Sequence, residues 1–123
     1  MTTRARTTGL FSSRAEKALL VAADTRNGTR LWNAEDSLNE LAQLAATAGI
    51  PVEGRVIQKR AQEDPQTYLG KGKLQELRQL CEHADADVII CDDELSVAQV
   101  KTLEETLSCK VVDRTEVILD VFA

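Results

Sequence analysis

The sequence predicts an α/β domain: a small three-layer sandwich with a four-stranded parallel sheet flanked by helices. Three observations predict it. Short apolar runs alternate with helix-period segments along the chain, in the order β-α-β-α-β-α-β-α. Two of those runs, Ala18 to Ala23 and Val88 to Cys91, are continuously apolar, as strands covered on both faces are. The length of 123 residues, with 43% hydrophobic and 28% charged, suits one domain of ordinary globular composition.

Each element has its own signal. Residues 1–15 hold Thr, Ser and Arg without periodicity and read as a disordered basic arm; the ordered domain spans 16–123. Ala18-Leu19-Leu20-Val21-Ala22-Ala23 is the first strand, followed by a polar stretch from Asp24 to Thr29. Asn33 caps the first helix, Glu35 and Asp36 suit its positive end, and Leu38, Leu41, Ala42, Ala45 and Ala48 recur at helical spacing. Gly49 ends it as the left-handed residue beyond the cap. Val52 to Lys59 alternates as a strand does but is partly polar, and Pro51 fits only at its start. That strand belongs at an edge, which suggests the order 2-1-3-4, with right-handed crossovers.

Residues 61–69 read as a loop. Gly70-Lys71-Gly72-Lys73 opens the second helix, with Leu74, Leu77, Leu80 and Cys81 on one stripe. Asp87 to Cys91 is the third strand. Ser96 and Gln99 form a capping-box pair for the third helix, which carries Val97, Val100, Leu103 and Leu107. Cys109 to Val112 is the fourth strand. Thr115 starts a last helix with Val117, Ile118, Val121 and Phe122 apolar. That helix reaches Ala123 with no C-cap signal, so either a partner covers it, a second copy included, or the chain continues.

Composition excludes several functions. The aromatics are Phe11, Trp32, Tyr68 and Phe122, too few for a base-stacking platform. No apolar run approaches the roughly 20 residues of a membrane span, and Met1 to Arg14 has no apolar core of a secretory signal. Cys81, Cys91 and Cys109 are an odd number without C-x-x-C spacing; they read as structural thiols of a reducing, cytoplasmic compartment. His83, the sole histidine, sits near a helix end where a cation suits the dipole, and nothing pairs it with a nucleophile.

The net charge is −5, but it is segregated. Met1 to Arg30 holds six basic and two acidic residues, and Arg55 to Arg78 six basic and three acidic. Asp85 to Ala123 holds ten acidic and three basic. Such a molecule can present one rim to a phosphate backbone, with Arg55, Lys59, Arg60 and Arg78 as contacts. A solvated face is the bland alternative for any charge run.

Two other features bear on chemistry. Asp24, Asp92, Asp93 and Asp113 fall at the C-terminal ends of strands, where open α/β sheets bind ligands. Asp92 and Asp93 are the candidate ligands for Mg²⁺, although acids at that end also stabilise helix N-termini. Gly70, Lys71, Gly72 and Lys73 combine close backbone approach, free helix N–H groups and positive charge, the ingredients of a phosphate site. A loop-to-helix turn with solvated lysines is their plainer reading. Neither G-x-x-x-x-G-K-[ST] nor G-x-G-x-x-G occurs.

Tyr68-Leu69-Gly70-Lys71-Gly72-Lys73-Leu74 resembles the Y-x-G-x-G-K stretch of the HflX-type GTPases. The resemblance continues through Ala86 to Gln99, where the family has an apolar strand, an acidic turn and L-S-P-x-Q. It ends in Val111-Val112-Asp113-Arg114-Thr115-Glu116-Val117-Ile118-Leu119-Asp120-Val121-Phe122-Ala123, matching V-x-D-R-T-x-[LV]-I-L-D-[IV]-F-A. The similarity covers roughly residues 17–123, and Val97 stands where the family usually has Pro.

The resemblance implies the N-terminal α/β domain of a ribosome-associated GTPase, without the GTPase domain. Implied partners are the large ribosomal subunit with its rRNA, and the GTPase domain of the full-length protein. It also implies nucleotide binding, ATP or GTP with Mg²⁺, for which Gly70 to Lys73 is the candidate turn. Arg114 is implied to bridge an acidic group or RNA, and Thr115 to cap the last helix. The first expectation is therefore a docking module for ribosomal RNA. The rival is a weak ATPase using the Gly70–Lys73 turn with Asp92 or Asp93 on Mg²⁺, and the third is an interaction scaffold.

Overall fold

The computed structural model describes residues 16–24, 33–59 and 64–122. The arm expected at 1–15, Arg60 and Trp32 lie outside them. Eight elements follow in the expected alternation: β1 (Ala18–Asp24), α1 (Ala34–Thr47), β2 (Val52–Lys59), α2 (Lys71–Ala84), β3 (Val88–Cys91), α3 (Val97–Leu107), β4 (Lys110–Asp113) and α4 (Arg114–Val121). The four strands form one parallel sheet in the order β2-β1-β3-β4.

Strand periodicity divides the core in two. Leu19, Val21, Ile89, Cys91 and Val111 face α2 and α3, meeting Leu74, Leu77, Leu103 and Leu107. Ala18, Leu20, Ala22, Val88, Ile90 and Val112 face α1 and α4, meeting Leu38, Leu41, Ala45 and Val117. β1 is buried at every position because it has a neighbour on each side and helices on both faces. β2 is exposed at Glu53, Arg55 and Lys59 because it is an edge strand.

Caps fix the helix boundaries. Asn33 accepts from the Asp36 amide at 2.8 Å. Gly49, at φ +79, closes α1 in the left-handed conformation. Ser96 and Gln99 form the reciprocal capping box. Two expectations need correction. The cap of α4 is Asp113, whose carboxylate accepts from the Glu116 amide at 3.2 Å, and Thr115 lies exposed within the first turn. Leu80 leaves the buried stripe of α2 and stands exposed, because its neighbours Leu77 and Cys81 already fill the contact with the sheet.

Candidate polyanion-binding site

In a parallel sheet with antiparallel crossover helices, every helix N-terminus lies at the C-terminal ends of the strands. Gly70 to Lys73 is at this edge, beside the end of β2. Gly70 is the N-cap of α2 and has no side chain to bond the first-turn amides; no acid follows in that turn. Lys71 is exposed, and Lys73 pairs with Glu76 at 3.2 Å. Nothing lies within 4 Å of where a Cβ on Gly72 would sit, so a ligand can approach its backbone closely.

The segment before this turn is tightly built. Asp64 and Tyr68 exchange backbone hydrogen bonds, and the Asp64 carboxylate accepts from the amides of Gln66 and Thr67. The Leu69 amide donates to the Thr67 carbonyl at 2.6 Å across Tyr68, which has φ +67. A three-residue turn with a positive central φ is the strained form of the γ-turn, and it is rare for a bulky side chain. Outside contacts hold the strain in place. Gln99 Nε2 donates to the Asp64 carbonyl at 2.8 Å, and the Gly70 amide donates to Gln58 Oε1 at 2.8 Å.

The Tyr68 ring is fully buried against the α2–α3 face of the sheet. Its hydroxyl donates to Asp93 Oδ2 at 2.6 Å and accepts from the Ala23 amide at 2.9 Å. The second bond has a topological reason. Pairing of β1 with β3 stops at Val21 and Cys91, so the Ala23 amide lies beyond the ladder. The gap between β1 and β3 is the switch point where open sheets of this order usually bind ligands. Here the chain's own phenol occupies it. Burial, with the Asp93 carboxylate beside it, pushes the Tyr68 hydroxyl far above its ordinary value.

Asp92 and Asp93 part company at the end of β3. Asp93 takes the Tyr68 hydroxyl, whereas Asp92 Oδ1 accepts from Arg114 Nε at 3.3 Å. The Arg114 guanidinium also reaches Glu40 at 2.9 Å and the Ser37 carbonyl at 3.2 Å. It therefore clasps α1, β3 and the start of α4 together. Of the two roles open to Arg114, the bridge to acidic groups is the one the geometry shows; it does not stand on a free basic rim. Nor does the structure bring Asp92 and Asp93 together as a cation site. Among the described residues no three His, Cys, Asp or Glu side chains are arranged to hold a metal ion. Asp113 is taken up as well, by the amides of Leu95 and Glu116. Asp24 ends β1 beside Lys59.

The other basic residues flank the β2 edge from its two faces, Arg55 and Lys59 on the α1 face and those of α2 on the opposite one. Arg55 and Lys59 lie on the edge strand β2, and Lys71, Lys73 and Arg78 on the adjacent α2. Arg55 bonds Asn39 at 2.8 Å with Glu35 at 3.6 Å, and Arg78 is 3.8 Å from Glu82. These pairs are exposed and loose enough for a ligand to displace. Glu94, Glu104, Glu105, Glu116 and Asp120 lie on α3, α4 and the loop before α3, around the opposite edge. Burial among its neighbours, with Asp113 close by, raises the Glu116 carboxyl above its usual range. Leu119 on α4 and Phe122 at its C-cap are 64% and 81% exposed, which leaves that helix available for contact.

Residues 35–123 match the family model described as "GTP-binding GTPase N-terminal". A GTPase HflX of Lacrimispora saccharolytica is 48% identical over 108 residues, covering 88% of this chain and 25% of that protein. A GTPase HflX of Caldanaerobacter subterraneus is 49% identical over 89 residues, covering 72% of this chain and 21% of its own length. The chain belongs to the HflX GTPase family. The GTPase HflX of Escherichia coli is 34% identical over 88 residues, covering 72% of this chain and 21% of that protein. The chain thus spans a quarter or less of the length of these relatives. The fold is similar to that in the crystal structure of a GTP-binding protein from Sulfolobus solfataricus in complex with GDP. That similarity has a TM-score of 0.62 at 18% identity, over 88% of this chain and 30% of the other.

The two HflX-like motifs now have physical content. Tyr68 to Lys73 is a strained turn that plugs the switch point and then delivers an uncapped helix N-terminus. Asp113-Arg114 is a cap followed by a clasp. Sequence reasoning placed both motifs but missed the Tyr68 bridge, because a lone tyrosine in a loop carries no periodic signal. No helix among the described residues is long and apolar enough to cross a membrane.

Proposed function

We propose that this HflX-type domain is a cytoplasmic docking module that grips ribosomal RNA phosphates with its β2–α2 rim. The observation that carries the reading is that Arg55 and Lys59 on one face of the β2 edge, and Lys71, Lys73 and Arg78 of α2 on the other, flank the same end of the sheet, where the Gly70 amide meets Gln58 of β2. Gly70 to Lys73 adds an uncapped helix N-terminus to that charge. Arg60 continues the same stretch of sequence beyond the described residues. The rim supplies affinity without sequence reading, so docking on the large subunit follows the shape and charge of the RNA. The acidic edge and α4, with Leu119 and Phe122 exposed, are left for the GTPase domain of an HflX-type protein.

Nucleotide turnover has weaker support. Asp92 and Asp93 already hold Arg114 and Tyr68, and the phenol fills the usual crevice. The test is binding to isolated large subunits across a salt series, alongside ATP with Mg²⁺. Affinity is expected to fall steeply with salt. Replacing Lys71 and Lys73 by Ala should flatten the log–log slope by roughly 1–2, at about 0.7–0.9 for each phosphate no longer neutralised. Binding that ignored salt and both lysines would overturn the docking reading. ATP turnover abolished by Asp92→Asn would favour the enzyme instead.

A further inference from the structure

At the other end of α2 two thiols meet that lie far apart in sequence. Cys81 is buried in the last turns of α2, and half-buried Cys109 stands in the turn before β4. The Ala86 backbone holds both. Its amide donates to the Cys81 carbonyl at 3.0 Å, and its carbonyl accepts from Cys109 Sγ at 3.6 Å. The neighbouring Cys109 side chain, then burial, pushes the Cys81 thiol well above its usual range. Both side chains pack in the same apolar cluster, and neither is in a disulfide.

We propose that Cys81 and Cys109 form an oxidisable dithiol that a peroxide converts into an intramolecular disulfide. Cys109, the more exposed, reacts first. Its sulfur attacks hydrogen peroxide; an S–O bond forms, the O–O bond breaks, and one water leaves, giving the sulfenic acid. Cys81 is shielded from peroxide but packs in the same cluster as Cys109, so it acts as the resolving thiol, giving up its proton as it attacks. Its sulfur attacks that of Cys109; the S–S bond forms, the S–O bond breaks, and a second water carries away the remaining proton. Two thiols lose two electrons in total, and the peroxide gains them. The bridge ties the C-terminal end of α2 to the α3–β4 turn. Cys91, buried in β3, takes no part.

The test is treatment of the full chain with hydrogen peroxide, alkylation under denaturing conditions, and mass mapping. The expected product has lost two hydrogens, yields a peptide joining Cys81 to Cys109, and is restored by a dithiol reductant. Cys91 stays alkylatable. Cys81→Ser should stop the reaction at a dimedone-reactive Cys109, and Cys109→Ser should leave Cys81 reduced. The wild-type map stands without either variant. A bridge that includes Cys91, only intermolecular dimers, or over-oxidation of Cys109 with Cys81 still reduced would overturn the proposal.

Discussion

Tyr68→Phe keeps the ring and removes only the hydroxyl, so it isolates the bridge across the top of the sheet. Two partners lose their bond: the Ala23 amide, which is buried, and Asp93 Oδ2, which is part-buried. An orphaned buried amide costs about 1–3 kcal/mol. Asp93 recovers water at its exposed side, so its own loss is smaller. Together they predict a destabilisation of about 2–3 kcal/mol. Urea denaturation followed by circular dichroism should show a lower midpoint at unchanged slope. The same bond makes a pH prediction. The folded phenol sits far above the unfolded value of about 10. The Tyr68 contribution is therefore complete below pH ~10 and declines as the unfolded state ionises above it, by up to about 1.4 kcal/mol per pH unit. Tyr68→Phe should lack that decline, which the difference between the two proteins isolates from lysine titration. Because Tyr68 is the chain's only tyrosine, phenolate absorbance reports it alone. Phenolate appearing near pH 10 in still-folded protein, or a variant within about 0.5 kcal/mol of wild type, would contradict a bridging role for the hydroxyl.

Arg114→Ala removes a clasp with three acceptors and leaves Asp92, 9% exposed at its side chain, without its cation. A loss of about 2–3 kcal/mol is expected in urea, and Arg114→Lys should restore less than half because an ammonium cannot span the same fork. Gly72→Ala, in a helical backbone with open space around the new Cβ, should raise stability by about 0.5 kcal/mol. If phosphates approach that backbone, the same variant should weaken large-subunit binding, so higher Tm with unchanged affinity would remove Gly72 from the rim.

Much of the fold was legible because its signals are local. The Asn33 cap, the Gly49 terminus and the Ser96–Gln99 box each lie within a few residues of what they determine. The strand order followed from one inference, that the most polar strand belongs at an edge. The corrections share a different cause. Thr115 and Asp113 both suit an N-cap, and the choice turned on Asp113 also serving the Leu95 amide, 18 positions away. The adjacent Asp92 and Asp93 looked like a cation site because the sequence does not show what each would meet. Just past the end of β3 they turn to different partners, one to Arg114 and the other to Tyr68. The Cys81–Cys109 contact was hidden for the same reason, since it depends on α2 and the α3–β4 turn ending at the same place.

Charge segregation in sequence becomes segregation in space only through the topology. The basic stretch contains most of β2 and α2, and the acidic stretch contains β3, α3, β4 and α4, with six of its ten acids on the β4 side of β3. In the order β2-β1-β3-β4, β2 and β4 are the two edges, with β1 and β3 between them. At about 4.8 Å per strand, the edges stand roughly 14 Å apart, beyond the ~8 Å screening length at physiological salt. Each edge then acts on its surroundings with its own sign. A meander in sequence order would have put β2 inside the sheet, with its lysine and arginine covered by helices. The apolar β1 takes the interior instead, and the polar strand that could not be buried becomes the edge whose Arg55 and Lys59 the proposed docking would use.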